Sequence, residues 1–198
     1  MNDDNAHPSS TLTGVLPVSM VLEIDAPAQD VWNIMLDFEN YPQWNPFIRN
    51  QTLVGSPASP VPLTDQTDPK PGHYMLLHVH TPPQLAEPHF LLKPFQVSRT
   101  VVRLKVVDYK RRRLAWRTSG GFPEWLLWCE RWQMVAANGA GDHACRYESY
   151  EVFGGLVAYL MWILCVKVLL LRGVVEMAEA LSTRAVGRKS IKNIQILQ

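Results

Sequence analysis

The chain has 198 residues, enough for one domain with tails, and its 47% hydrophobic and 19% charged content is that of a globular protein rather than a disordered one. Nineteen Lys+Arg against eighteen Asp+Glu leave a net charge of +1, which argues against a general nucleic-acid binder, whose balance is strongly basic. Cys129, Cys145 and Cys165 cannot pair completely and show no CxxC spacing, so neither a disulfide scaffold nor a zinc ribbon is expected, and a reducing, cytoplasmic setting is.

Residues 1–15 are polar and aperiodic and read as a flexible tail; Asp3, Asp4 and Pro8 stand where a secretion signal would need a basic start and a long apolar core. The run Val18–Asp25 reads as a strand, and Pro27 suits the start of a helix. Across Gln29–Phe38, Val31, Ile34, Met35 and Phe38 recur at helical spacing and give one apolar face. Pro42 and Pro46 then bracket an aromatic turn, YPQWNPF, that cannot continue as a regular helix. Eleven of the fifteen prolines fall between Pro42 and Pro94, so Gly55–Gly72 and Thr81–Lys93 are predicted loops around a strand at Tyr74–His80.

Strands Gln96–Asp108 and Arg113–Ser119 flank the short basic turn Tyr109–Arg112 and predict a hairpin. Trp125–Ala136 and Ala144–Phe153 form a second pair around Asn138-Gly139-Ala140-Gly141, a composition that turns require. Gly154-Gly155 ends the strands, and a helix follows from about Leu156 to Ala185, with Leu160, Ile163, Leu170, Val174, Met177 and Leu181 on one face. This order predicts an α+β fold, a curved antiparallel sheet with a long C-terminal helix lying across it.

Three motifs extend this reading. Ile24–Ile48, IDAPAQDVWNIMLDFENYPQWNPFI, resembles the opening of the START-related superfamily (SRPBCC, Bet v 1-like), in particular its polyketide cyclase/dehydrase and lipid-transport branch. Leu114-Ala115-Trp116 is similar to that family's Leu-x-Trp strand, and Glu151-Val152-Phe153-Gly154-Gly155 to the approach to its final helix. The chain departs from relatives at Glu130-Arg131-Trp132, where they often carry His-x-Phe, and in longer Pro-rich loops at 56–71 and 81–94. The resemblance implies a helix-grip fold over residues 16–186, an internal apolar cavity between sheet and helix, and a C-terminal tail at 187–198. It also implies a hydrophobic small-molecule ligand, with catalysis, where present, free of any cofactor.

Strand alternation nominates the residues that face such a cavity. Thr100, Val102, Leu104 and Val106 share one face with the basic residues Arg99, Arg103 and Lys105 opposite; Leu114, Trp116 and Thr118 likewise oppose Arg113 and Arg117. The basic stripe reads as a solvated convex face rather than a nucleic-acid surface, because no aromatic residues interleave it. Leu126, Trp128, Glu130, Trp132 and Met134 form an apolar face around one carboxylate, and Tyr147, Ser149, Glu151 and Phe153 share another face. With both turned inward, Glu130, Glu151 and Tyr147 meet in an apolar cavity, where desolvation suits a carboxylate to acid–base work. The competing expectation is that Glu130 and Glu151 pair with Arg131, Arg146 or Arg117.

His78 and His80 sit two apart on one strand. A metal site would need Glu130 or His89 as a third ligand, so no metal is expected; His78 is the candidate proton carrier and His80 a candidate pocket residue. On the alternative parity, Met75, Leu77 and Val79 face inward and both histidines face water. Trp44 and Asn45 of the aromatic turn, with Trp116, Trp128, Trp132 and Phe153, are candidate pocket walls. No GxSxG elbow, GxGxxG turn or phosphate loop is present, so no nucleotide cofactor is expected. The all-round apolar run Leu156–Val166 is too short to span a membrane and suits burial, peripheral membrane contact or a homodimer.

The sequence thus predicts a cofactor-independent enzyme of small-molecule metabolism that promotes cyclisation, dehydration or isomerisation of a polyketide- or terpenoid-like substrate. The competing reading is a non-catalytic carrier of a lipid or other hydrophobic ligand.

Overall fold

The computed structural model describes residues 12–89, 96–138, 143–187 and 194–196. β1 (Leu16–Ile24) is followed by Asp25 and Ala26, and Pro27 opens α1 (Ala28–Leu36), whose Ala28, Val31, Trp32 and Met35 are buried. A single 3₁₀ turn, Phe38–Asn40, leads into the four-residue α2 (Tyr41–Trp44). The aromatic segment thus forms two short helical pieces, the second with Pro42 in its first turn, where a missing N–H costs nothing.

Six strands follow: β2 (Ile48–Val54), β3 (Tyr74–His80), β4 (Val97–Asp108), β5 (Arg113–Thr118), β6 (Trp128–Ala137) and β7 (Cys145–Gly154). α3 (Leu156–Ile163) and α4 (Val166–Val186) come next, and β8 (Ile194–Ile196) closes the order. The eight strands make one antiparallel sheet in the order β2-β3-β4-β5-β6-β7-β1-β8, with α4 packed on β1 and α1. This is the α+β helix-grip arrangement that the element order and the motifs predict. The core lies between the inner sheet face (Leu22, Leu53, Met75, Val102, Leu114) and α1 and α4 (Trp32, Met35, Met177, Leu181).

Four features differ from expectation. β2 falls between the aromatic turn and the first predicted loop, in a stretch to which the sequence reading assigns no element; its polar Arg49, Asn50 and Gln51 hide the alternation. The segment read as a C-terminal tail returns as β8, whose Ile196 and Ile194 pair with Met20 and Leu22 of β1. At the other end, Val15 N–H donates to Phe153 O, so order begins before β1. The single long helix is broken: α3 and α4 meet at 90°, with Cys165 in the left-handed region at φ 55°.

That corner carries no Gly or Pro to announce it. α3 packs on the ends of β1 and β7 while α4 crosses β1 towards α1, and one straight axis cannot do both. Leu160 and Ile163, expected on the buried stripe, are exposed in consequence, and so is Cys165. Gly155 makes the turn from β7 into α3 at φ 92°, and a Cβ there would lie 2.6 Å from the Leu126 backbone, so only glycine fits. The predicted turn at 139–141 and the residues 90–93 of the second loop lie outside the described residues, as does most of the predicted N-terminal tail.

Candidate active site

A cavity of about 310 Å³ lies between the inner sheet face and the helices. Its walls come from Phe47 and Ile48, from Leu77 and Val79 of β3, from Trp116 and Thr118 of β5, from Phe153 of β7, and from Met161 and Leu170 of the two helices. Cys129 and Arg131 of β6 and Glu151 of β7 stand among these apolar ones, and Arg99 with the hydroxyls of Thr81, Ser98, Thr100 and Thr118 completes the polar part of the lining.

Sheet register explains the grouping. Residues directly opposite on antiparallel strands point to the same face. Trp116 is opposite Arg131, Arg131 is opposite Glu151, and Cys129 is opposite Phe153, so these side chains form one patch on the inner face. Arg131 is only 1% exposed. Its Nε donates to Ser149 Oγ at 3.1 Å and its Nη2 to Met177 Sδ at 3.5 Å, so its described partners are a hydroxyl and a thioether rather than a carboxylate. Glu151 is buried as well: Oε1 accepts from Cys129 Sγ at 3.1 Å, and buried Oε2 has no hydrogen-bond partner.

A buried polar atom left bare costs about 1–3 kcal/mol, so Oε2 is held unsatisfied against a real penalty. Burial first, and then the Glu151 charge, push the Cys129 thiol well above its ordinary range, so it remains a proton donor to the carboxylate at neutral pH. Gln133 and Tyr147 continue the inner patch deeper into the core, where Gln133 Nε2 donates to Tyr147 Oη at 2.8 Å. Nearby Tyr41 donates to Met35 O at 2.8 Å, and burial raises its phenol far above the usual range.

Of the residues nominated from sequence, Trp116, Glu151 and Phe153 line the cavity. Tyr147 shares their face but is sealed in the core at 0% exposure, so it does not border the cavity. Glu130 is a correction. It faces the convex side, where it accepts from Lys105 Nζ at 2.9 Å, Arg117 Nη1 at 3.3 Å and Trp132 Nε1 at 3.0 Å. The reason is register: Glu130 is opposite Arg117, which faces outward, so the parity assumed for β6 is inverted. The competing ion-pair expectation therefore describes Glu130.

Trp128 and Trp132 go outward with Glu130, and Trp128 lies under the Arg117 guanidinium at 4.2 Å. Trp44 is core, its ring centroid 4.8 Å from that of Tyr41. Asn45 builds the turn into β2, its Oδ1 accepting the N–H groups of Phe47 and Ile48 at 3.0 and 2.9 Å, rather than lining the cavity. His78 and His80 border a second, polar hollow with Arg49, Glu87 and Arg99, of which Arg99 also lines the cavity, and His80 Nδ1 is 3.1 Å from Gln84 O. Inward parity on β3 belongs to Met75, Leu77 and Val79 instead. Among the described residues, no group of three or more His, Cys, Asp or Glu side chains is placed to hold a metal ion.

Sequence reasoning missed Arg131 and Cys129 as cavity residues. The available signal was the opposition of Arg117 and Glu130 across β5 and β6, which fixes the parity of β6 once the register is known. A cavity with apolar walls, a buried guanidinium and a carboxylate with one bare oxygen can bind an oxygenated apolar molecule, remove a proton from it and stabilise the resulting negative charge.

Residues 16–149 match the family described as polyketide cyclase / dehydrase and lipid transport. A curated relative, oxopyrrolidines biosynthesis cluster protein O of Penicillium oxalicum, is 31% identical over 119 residues, 54% of this chain and 54% of that protein. The chain thus aligns with about half the length of that relative. Among solved structures, the Zhui aromatase/cyclase of a Streptomyces species aligns with a TM-score of 0.59 at 14% identity, over 86% of this chain and 93% of that one. A START superfamily protein of Mycobacterium smegmatis aligns with a TM-score of 0.58 at 19% identity, over 87% and 98%. These structural likenesses establish the fold.

Proposed function

Since the chain belongs to the polyketide cyclase / dehydrase and lipid transport family, we propose that it is a cofactor-independent enzyme of secondary metabolism that cyclises or dehydrates an oxygenated, largely apolar substrate. The observation that carries this reading is the cross-strand placement of Glu151, whose buried Oε2 is bare, beside buried Arg131 on the wall of a largely apolar cavity. A relative named for a biosynthesis cluster supports the setting in secondary metabolism, and a structural neighbour named as an aromatase/cyclase supports the reaction class.

In the proposed mechanism the apolar walls hold the substrate folded, with its reacting carbons in contact. Glu151 Oε2 removes a proton from a carbon next to a carbonyl, and Arg131 stabilises the enolate oxygen that forms. The enolate carbon then attacks a second carbonyl of the same molecule. Glu151 returns its proton to the new oxyanion, giving a hydroxyl; where the product is dehydrated, Glu151 removes a second proton from the carbon that attacked and delivers it to that hydroxyl, which leaves as water as the carbon–carbon double bond forms. The Cys129 thiol keeps its hydrogen bond to Oε1 and directs the proton traffic to Oε2. The cavity volume of about 310 Å³ lies at the small end of ligand pockets and suits a compact substrate.

The test is incubation of the protein with a small-molecule extract of its native host, compared by chromatography and mass spectrometry with boiled protein. Turnover of many equivalents, abolished in Glu151→Gln and at least a hundredfold slower in Arg131→Met, is the expected result. Depletion that stops near one equivalent, with the compound recovered intact on denaturation, would replace the enzyme by a carrier.

A further inference from the structure

Most of the large apolar side chains that the fold leaves exposed gather at the corner between α3 and α4. Leu156, Tyr159, Leu160, Trp162 and Ile163 of α3 are each more than half exposed, as are Leu164 at the corner and Val168 in the first turn of α4. Trp125, 66% exposed, is tied to the same place because its carbonyl accepts the Leu156 N–H. An ordinary surface helix has one apolar face, turned inward. α3 has two: Ala158 and Met161 face the core and cavity, while the exposed apolar residues sweep an outer arc of about 160°, at roughly 100° per residue. An exposed apolar patch of this kind marks an interaction surface.

We propose that this corner inserts into the surface of an anionic lipid membrane and holds the mouth of the cavity against it. Charge is the first argument. From Leu156 to Val175 the only charged residues are Lys167 and Arg172; Glu176 holds Arg172 at 2.7 Å and Arg117 holds Glu124 beside Trp125 at 3.2 Å, which leaves Lys167 as the cation that the corner offers to anionic headgroups. Side-chain type is the second, since Trp125, Tyr159 and Trp162 are the amphipathic aromatics that settle at headgroup level.

Geometry is the third. No single helix among the described residues is long and apolar enough to cross a membrane, and the bend of 90° makes the pair a corner that dips in and returns. α3, about 12 Å long at 1.5 Å per residue, fits a helix lying in the interfacial plane with its apolar side buried about 5–10 Å. A second copy of the chain would cover one stripe of so convex a surface, whereas fluid hydrocarbon covers all of it.

Continuity with the cavity is the fourth. Met161 of α3, Leu170 of α4 and Phe122 line the cavity, and Phe122 is 62% exposed, so the cavity opens beside the corner. A docked corner lets an apolar molecule pass between bilayer and cavity without crossing water, whatever chemistry follows.

The test needs no substrate. The full chain is floated with vesicles of phosphatidylcholine alone and with vesicles containing roughly one-third phosphatidylserine, with tryptophan emission recorded in parallel. Expected are co-flotation with the anionic vesicles, a blue shift of the emission, and weakening by high salt. The double variant Trp162→Glu/Ile163→Glu, folded by circular dichroism, binds at least tenfold more weakly, and Lys167→Glu loses the preference for anionic vesicles. Wild-type protein that stays with the unbound fraction for both vesicle types overturns the proposal. So does a dimer that the double variant dissociates in the absence of any flotation, which would give the corner to a second copy of the chain.

Discussion

Gly173→Ala sets two well-measured effects against each other. Gly173 lies inside α4, where replacing glycine by alanine ordinarily stabilises a helix by about 0.8–1.0 kcal/mol. In this fold, however, a Cβ at position 173 would lie 2.5 Å from Cε2 and 2.9 Å from Cγ of Phe47, and closer still to its Cδ2. Phe47 is buried, and its ring forms part of the cavity wall. With three ring atoms in the way, the ring must shift as a unit, and overpacking of this kind costs about 1–3 kcal/mol. At the upper end of that range the net loss is about 2 kcal/mol, which in a domain of this size lowers Tm by about 4–8 °C. Thermal and urea unfolding of the two proteins measure it. Phe47→Leu in the Gly173→Ala background should recover at least about 1 kcal/mol relative to additivity, since the two positions touch. A Tm that rises by a few degrees in Gly173→Ala, as helix propensity alone requires, would refute the packing of α4 on Phe47.

The remaining predictions probe the corrected site assignments. Glu130→Ala should destabilise the fold by about 1.5–3 kcal/mol, through loss of charge-assisted bonds to Lys105, Arg117 and Trp132, yet leave turnover within twofold because Glu130 is on the convex face; chemical denaturation and a rate assay separate the two. Asn45→Ala strands the buried N–H groups of Phe47 and Ile48 and should cost about 1–3 kcal/mol in the same unfolding assay. Cys129 supplies a pH test. Burial raises its thiol above the value of about 8.5 that it has in an unfolded chain, so the neutral thiol's contribution is complete below about pH 8.5 and is lost as pH rises towards the folded value. Unfolding free energies measured from pH 7.5 to 9.5 should therefore fall for the wild type by up to about 1.4 kcal/mol per pH unit above 8.5, and fall less for Cys129→Ala. Equal slopes would place the thiol in contact with water.

The family and the helix-grip architecture are legible in the chain because they rest on local signals. Pro27 before a periodic apolar run, the aromatic segment through Pro46, strands bounded by turns, and Gly154-Gly155 before the last helix each act within a few residues of themselves. Glu151 and Phe153 were legible for the same reason: alternation along β7 places them with Tyr147 and Ser149 on one face. What alternation cannot supply is which face turns inward, since a shift of one residue exchanges the two. β6 carries bulky residues on both faces, Trp128 and Trp132 on one and Arg131 and Gln133 on the other, so hydrophobicity gives no preference.

Only the register between β5 and β6 decides that choice. Arg117 opposite Glu130 takes that carboxylate to the convex face, and Trp116 opposite Arg131 brings the guanidinium into the cavity beside Glu151. The corner at Cys165 is likewise a property of the assembled fold. Nothing in the sequence from Leu156 to Val186 stops a continuous helix, and the break comes from packing α3 and α4 on different parts of the molecule. The sequence by itself determined the family and most of the elements, because those depend on neighbours along the chain. The placement of Arg131 beside Glu151 in the cavity and the exposed apolar corner were decided by tertiary structure, because each depends on which distant strands and helices lie opposite one another.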